Sequence, residues 1–402
     1  MSKSTRREFL TKAGIGAGVL FLPGISLTVR ASSAPIKIGG SLPLTGAYAD
    51  TGLWVERGYR YWAEQVNASD GLLGRPVELI IYDDASQVDR GISLLERAIT
   101  VDRVDLLLGG YPGTTAAAQM AVAERYRKVY VSMGGHMASF QRGFRYSFGA
   151  PPLMGEWWYE GAFQWLESMD PAERPKRAAA ITANNAVGMA VRGGLADGLA
   201  RSNIELVMDE LYDLPLASAE PLVQRAKALD ADMFIANGFF GDGVQTIRAM
   251  RALDYNPKLI LQGIGSLIPE WVQELGEDGN YVVSGTALHD KLPFKGVEEL
   301  NQVARERWGL RNAPEYFLFG YAWMQALQQG VEGAGSLNQD AIAQYLRTEG
   351  IDGIAGRMVF DERGLPPAFS YTTQVINGQV ELIWPLHVRT HEPVYPKPPW
   401  GR

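Results

Sequence analysis

Asp105-Leu-Leu-Leu-Gly-Gly110, Tyr111-Pro-Gly-Thr-Thr115, an alanine-rich run to Arg127, then Val129-Tyr-Val-Ser132 and Met133-Gly-Gly-His136 make up the stretch whose reading decides the fold. The apolar runs Leu106–Leu108 and Val129–Val131 are short and unbroken, which suits strands buried on both faces of a parallel sheet. One crossover helix, from about Thr114 to Arg127, fits between them. Each strand ends in a glycine-rich loop with small polar groups, and ligands of open α/β sheets collect beyond the carboxyl ends of strands. A helix starting near Gly113 aims free N–H groups, with the Thr114 and Thr115 hydroxyls, at an anion. The glycines equally serve tight turns, so two readings of this stretch stand.

Working outward, 402 residues suffice for two ordinary domains. Apolar content of 46% and charged content of 21% are those of a globular protein, and a net charge of −7 argues against a nucleic-acid partner. The absence of cysteine excludes disulfides, thiolate metal sites and cysteine nucleophiles. Ser4-Thr5-Arg6-Arg7-Glu8-Phe9-Leu10-Thr11-Lys12 precedes a weakly apolar run from Ala13 to Leu27, the layout of an export signal. The arginine pair before Phe9-Leu10 resembles a twin-arginine signal and implies the periplasm; a Sec signal with a chance pair gives the same destination. Cleavage fits after Ala31 or Ala34. No later run approaches the ~20 apolar residues of a membrane span, so no anchor is expected.

The remainder alternates strand and helix. Strands are expected at Ile36–Ser41, Val77–Tyr82, Arg177–Ala183, Ile204–Val207, Met233–Ala236, Leu259–Leu261 and Tyr281–Ser284. Helices are expected at Gly52–Ala68, with Val55, Tyr59, Trp62 and Val66 on one buried face, and at Gln87–Val101, Met154–Met169, Val187–Arg201, Ser218–Leu229 and Asp242–Leu253. Such alternation marks βαβ units, here two in succession. Three helices follow, near Val297–Trp308, Ala313–Val331 and Gln339–Arg347, then strands at Met358–Phe360 and Tyr371–Leu386 and an extended proline-rich end.

Together these pieces resemble the type I periplasmic solute-binding proteins, in particular the branched-chain amino-acid-binding family of ABC importers. The resemblance rests on Ile36-Lys-Ile-Gly39 with Leu42-Pro-Leu-Thr-Gly46, Asn67 with Gly71-Leu-Leu-Gly-Arg-Pro-Val-Glu-Leu79, Asp83-Asp84, Gly109-Gly110, Ser132-Met-Gly-Gly135, Gly188 after Asn184-Asn185, Gly238-Phe-Phe240 and Gly356-Arg-Met-Val-Phe-Asp361, in order along the chain. It implies an α/β fold of two lobes, each a mainly parallel sheet flanked by helices, joined by three crossings near Phe148–Pro152, Ser284–His289 and Gly356–Asp361. Lobe one is then 35–150 with 288–357, lobe two 151–287 with 358–390, and 391–402 a tail. The implied function is capture of a small solute, an amino acid or a carboxylate, aromatic acid or amide, for an ABC permease, by a monomer without cofactor or metal. A periplasmic sensor domain is the alternative. An enzyme is a third reading, but Gly-x-Ser-x-Gly, His-Glu-x-x-His and phosphate-loop patterns are all missing.

The resemblance assigns the solute's polar end to Tyr111, Pro112, Gly113, Thr114, Thr115, Gly134, Gly135 and His136 on lobe one. It assigns the closing face to Asn185, Val187, Phe239, Phe240, Gly265 and Ser266 on lobe two. Amino-acid binders place an acid in the loop matching Gln262-Gly-Ile-Gly-Ser266, and an aromatic where this chain has Val187; neither is present. His136 either donates to a carboxylate or is a surface histidine, and His289 sits at an expected crossing where it can line the cleft. Phe239, Phe240 and Tyr111 offer flat apolar surface. Asp83-Asp84 lacks metal-ligand spacing and reads as a capping pair, and Trp157, Trp158 and Trp165 read as packing.

Overall fold

In the computed structural model, which describes residues 34–401, Ile36–Leu42 (β1) begins the alternation. Ala49–Ala68 (α1), Val77–Asp83 (β2), Val88–Thr100 (α2), Leu106–Leu107 (β3), Gly113–Arg125 (α3), Tyr130–Ser132 (β4), Met137–Phe140 (α4) and Ser147–Gly149 (β5) follow. The strands β2-β1-β3 form a parallel sheet, and β4 pairs parallel with β5. Leu106, Leu107 and Leu108 are all buried, as an unbroken apolar run requires when both sheet faces are covered. Val55, Tyr59, Trp62 and Val66 form the buried stripe of α1.

The second half contains Glu160–Glu167 (α5), Arg177–Ala183 (β6), Ala186–Ser202 (α6), Glu205–Tyr212 (β7), Glu220–Ala228 (α7), Met233–Asn237 (β8), Phe240–Ala252 (α8), Leu259–Gln262 (β9), Pro269–Leu275 (α9) and Val282–Thr286 (β10). Then come Val297–Trp308 (α10), Glu315–Ala334 (α11), Gln339–Glu349 (α12), the hairpin Ile351–Gly353 (β11) and Gly356–Met358 (β12), and the hairpin Tyr371–Ile376 (β13) and Gln379–Trp384 (β14). A seven-stranded sheet runs β14-β13-β10-β9-β8-β6-β7, with parallel pairs from β10 to β7 and β13 antiparallel to both its neighbours. After β10 the chain returns to the first half. There α11 lies on α1 so closely that a Cβ at Gly320 would stand 2.3 Å from the Val55 carbonyl oxygen, and one at Gly58 2.4 Å from that of Phe317.

Several expected boundaries shift. The helix expected over Met154–Met169 divides into a 3-10 turn at Gly155–Trp157 and α5. Gly155 is pressed onto α6 at Ala190 and Gly161 onto Ser370 and Thr372, with a turn at Trp158 and Tyr159 between them. The strand expected at Ile204–Val207 runs on to Tyr212, where Asp209 and Glu210 on the sheet's edge mask its apolar alternation. The tail is extended but docked: the Lys397 amide donates to the Lys258 carbonyl (2.8 Å) and Trp400 Nε1 to that of Tyr255 (3.0 Å). The export signal expected over residues 1–31 lies outside the described residues. No described helix is long and apolar enough to cross a membrane.

Candidate functional site

The carboxyl ends of β1, β3 and β4 face those of β6, β8 and β9, and the loops there bring together much of what the sequence nominated. Gly113 opens α3, whose first turn has no side-chain cap. A Cβ on Gly113 would meet the Gly135 Cα at 2.6 Å and Val187 Cγ2 at 3.2 Å. Gly134 and Gly135 have φ of +84° and +113°, conformations that side chains resist, and Gly135 could not carry one against Gly113 in any case. The two strand-end loops of the first half thus touch backbone to backbone, with Val187 of the second half against them.

A residual cavity of ≈ 20 Å³ marks the facing surface. It is lined by Asn185, Val187 and Phe239, all expected, by Ile264 of the expected loop Gly263–Ser266, and by Trp158 and Asn237, which were not. Trp158 and Asn237 each hold a buried N–H donor, Nε1 and Nδ2, without a hydrogen-bond partner. The loop from Gln262 to Ser266 presents Ile264 to the cavity, and no lining residue is charged. The nearby Asp242 is occupied with its own surroundings: it accepts from Tyr212 Oη, the Leu216 amide and the Phe239 amide, each at 3.1 Å.

From the first half, Tyr48 reaches across to Phe239, with ring centroids 4.4 Å apart. Burial, and then the Asp242 charge, raise its phenol pKa. Tyr111 is fully buried, edge-on to Tyr316 at 5.3 Å, and burial drives its pKa far up, so it remains a neutral hydroxyl. Pro112 is buried behind it, and Thr114 is half-buried in the first turn of α3. Thr115 turns its methyl to Gly91 of α2, inside the first half.

Other nominated residues sit apart from this cavity. His136 caps the short α4 and sets its ring against Ser139 Oγ at 3.2 Å; burial lowers its pKa, so it is neutral at pH 7. Phe240 begins α8, where its backbone supports Gly265. Ser266 is buried with an unpartnered hydroxyl. His289 lines a different cavity. Asp83 and Asp84 cap loops as expected: Asp83 accepts from the Leu44, Thr45 and Ala85 amides, and Asp84 from the Ser86 amide. Tyr48 was within reach of sequence reasoning, since it follows β1 as Tyr111 follows β3. Trp158 was hidden by the apparent continuity of its helix.

Two α/β halves that set their strand ends against each other define a two-lobed solute-binding fold. A profile of the periplasmic binding protein family matches residues 35–379, and the chain belongs to that family. It is similar to Leu/Ile/Val-binding protein homolog 7 of Brucella abortus (strain 2308), 22% identical over 335 residues, covering 80% of this chain and 83% of that one. In fold it is similar to a branched-chain amino acid transporter substrate-binding protein from Streptococcus pneumoniae in complex with isoleucine (18% identical, TM-score 0.76, 86% and 98% of the two chains). It is likewise similar to an ABC-transporter solute-binding protein from R. palustris in complex with benzoate (16% identical, TM-score 0.77, 87% and 95%).

Proposed function

We propose that this chain is the periplasmic solute-binding component of an ABC importer and that its solute is a small carboxylic acid, aliphatic or aromatic, without an α-ammonium. The observation that carries this reading is the seam's chemistry. Trp158, Asn237 and the uncapped start of α3 offer N–H donors, Val187, Phe239 and Ile264 offer apolar surface, and no charged residue lines the cavity. Donors of this kind suit a carboxylate. An ammonium buried there without an acid loses several kcal/mol. The R. palustris relative bound to benzoate shows that the fold accommodates such a solute, and a second neighbour, from Rhodopseudomonas palustris BisB5, holds 3,4-dihydroxybenzoic acid.

In this reading 35–150 with 288–357 and 151–287 with 358–390 are the lobes of a clamp. They are hinged near 148–152, 284–289 and 356–361, and the clamp is delivered as a monomer to a membrane permease. The arginines Arg6-Arg7 send it to the periplasm by the twin-arginine route; Arg6→Lys with Arg7→Lys then leaves precursor in the cytoplasm.

Calorimetry on matched pairs tests the solute class. 3-Phenylpropanoate or 4-methylpentanoate binds at least about tenfold tighter than phenylalanine or leucine, respectively, if the seam lacks a partner for the amine. Micromolar leucine binding with no binding of 4-methylpentanoate would reverse the assignment and make the chain an amino-acid binder.

A further inference from the structure

A cavity of ≈ 240 Å³ lies away from the strand-end seam, where three parts of the chain meet. The start of α9 and the β13–β14 turn wall it from the seven-stranded side, the loop between α10 and α11 from the other, and His289-Asp290 lie on the connection between. Three polar atoms of its lining are buried without a hydrogen-bond partner: His289 Nε2, Asp290 Oδ2 and Glu315 Oε2. His289 is 2% exposed and Glu315 6%. Buried polar groups are almost always paired, so three orphans around one cavity are a conspicuous exception. The rest of each side chain is held in place. His289 Nδ1 lies 3.0 Å from Asp290 Oδ1 and 3.1 Å from the Lys291 amide, and Thr286 Oγ1 lies 2.6 Å from Glu315 Oε1. Thr286 is itself fixed by the Leu288 amide at 3.0 Å. Ile268, Val272 and Val380 add apolar lining.

We propose that this cavity is a second ligand site, which takes a small alkyl amine with its ammonium between Asp290 and Glu315 and its hydrocarbon against Ile268, Val272 and Val380. Asp290 and Glu315 each leave an oxygen free; burial and the Asp290 charge push the Glu315 carboxyl up in the empty cavity, and an ammonium arriving between them supplies three donors and the compensating charge. Arg311 also lines the cavity but is exposed, so water and salt screen its charge. The site does not depend on the identity of the solute in the seam. Because its walls come from both sides of the His289-Asp290 connection, an occupant holds those sides at one spacing, and its binding is linked to any change in that spacing.

The test is calorimetry on the full-length mature chain with 3-methylbutylamine as probe and 3-methylbutanol as its neutral isostere. The amine binds saturably with one-to-one stoichiometry, and the alcohol is about tenfold weaker or worse. Asp290→Asn weakens the amine about tenfold, with benzoate affinity unchanged. Should that variant not fold, the exposed Gln273→Trp, which narrows the cavity from its rim, serves instead and weakens the amine while leaving benzoate alone. Equal binding of amine and alcohol, no saturable amine binding at millimolar concentration, or amine affinity unaltered in the variant that folds would each overturn the site. Loss of benzoate binding with the amine retained would count against the solute assignment and not against this cavity.

Discussion

Tyr130 holds the first strand-end loop from beneath. Its hydroxyl accepts from the Gly110 amide (2.6 Å) and donates to Gln119 Oε1 (2.7 Å); Gln119 Nε2 reaches Ser41 Oγ (3.0 Å), which donates to Asp84 Oδ2 (3.1 Å). Ser41, Asp84, Gln119 and Tyr130 are all fully buried, so the chain of bonds has no water to replace a missing member. Tyr130→Phe strands the Gly110 amide and the Gln119 carbonyl, and a loss of about 1–3 kcal/mol in denaturant unfolding is expected. At the other end of the chain of bonds, burial pushes the Asp84 carboxyl up to about 6, partly offset by its bonds to Ser41 and Ser86. A carboxyl raised above its unfolded value favours folding most when protonated, and that contribution is lost as pH rises from about 4 to 6. Thermal melts of the wild type and Asp84→Asn across pH 4–7 check the sign: the wild type gains on the variant as pH falls. A difference independent of pH would mean Asp84 is not the titrating group.

Helices and strands differ in how far the sequence discloses them. β6 occupies Arg177–Ala183 and α10 Val297–Trp308, as their apolar patterns and flanking turns require. The α9 helix was not legible: seven residues from Pro269 are too few for a periodicity to show. The β11–β12 hairpin has three-residue strands and fails for the same reason. What sequence could not convey at all is which surfaces meet. Trp158 meets Asn185, Asn237 and Phe239 in one cavity only through the packing of separate elements, and nothing local to it announces that. The α1–α11 contact is of this kind too, for Gly58 and Gly320 look like poor helix formers until the helices are seen to touch. Gly320→Ala therefore sets two effects against each other. Helix propensity gains up to ~1 kcal/mol, whereas a Cβ 2.3 Å from the Val55 carbonyl oxygen forces apart two helices that share a core. Overpacking of this sort costs about 1–3 kcal/mol, so a lower melting temperature is expected; a higher one would show that the helices separate freely.

At the scale of the whole molecule, the seam poses a question of volume. The cavity, lined by second-half residues alone, holds ≈ 20 Å³, about one water, so on the proposed reading a solute of benzoate's size enters only if the first half draws back from it. Two contacts oppose that separation. Tyr48 packs on Phe239, and Trp54 Nε1 donates to the Glu270 carboxylate, 3.2 Å from both oxygens. Each joins the first half to the second, and each exists only while they are close, so in a hinged clamp each would favour the closed form by its own free energy. A hydrogen bond to a charged group contributes about 1.5–3 kcal/mol when well sheltered, less where water reaches it, as it does at the half-buried Glu270. Glu270→Ala removes the acceptor and leaves the buried Trp54 ring in place, edge-on to Trp308 at 5.1 Å. The variant should populate the open form more, with a larger radius of gyration in solution scattering before solute is added and the wild-type value after. Solute affinity then falls by the cost of closing without the latch, about two- to tenfold. Scattering curves that superimpose for both proteins, with and without benzoate, would show that the halves do not move as a clamp, and the small seam would then have to admit its solute by local loop motion alone.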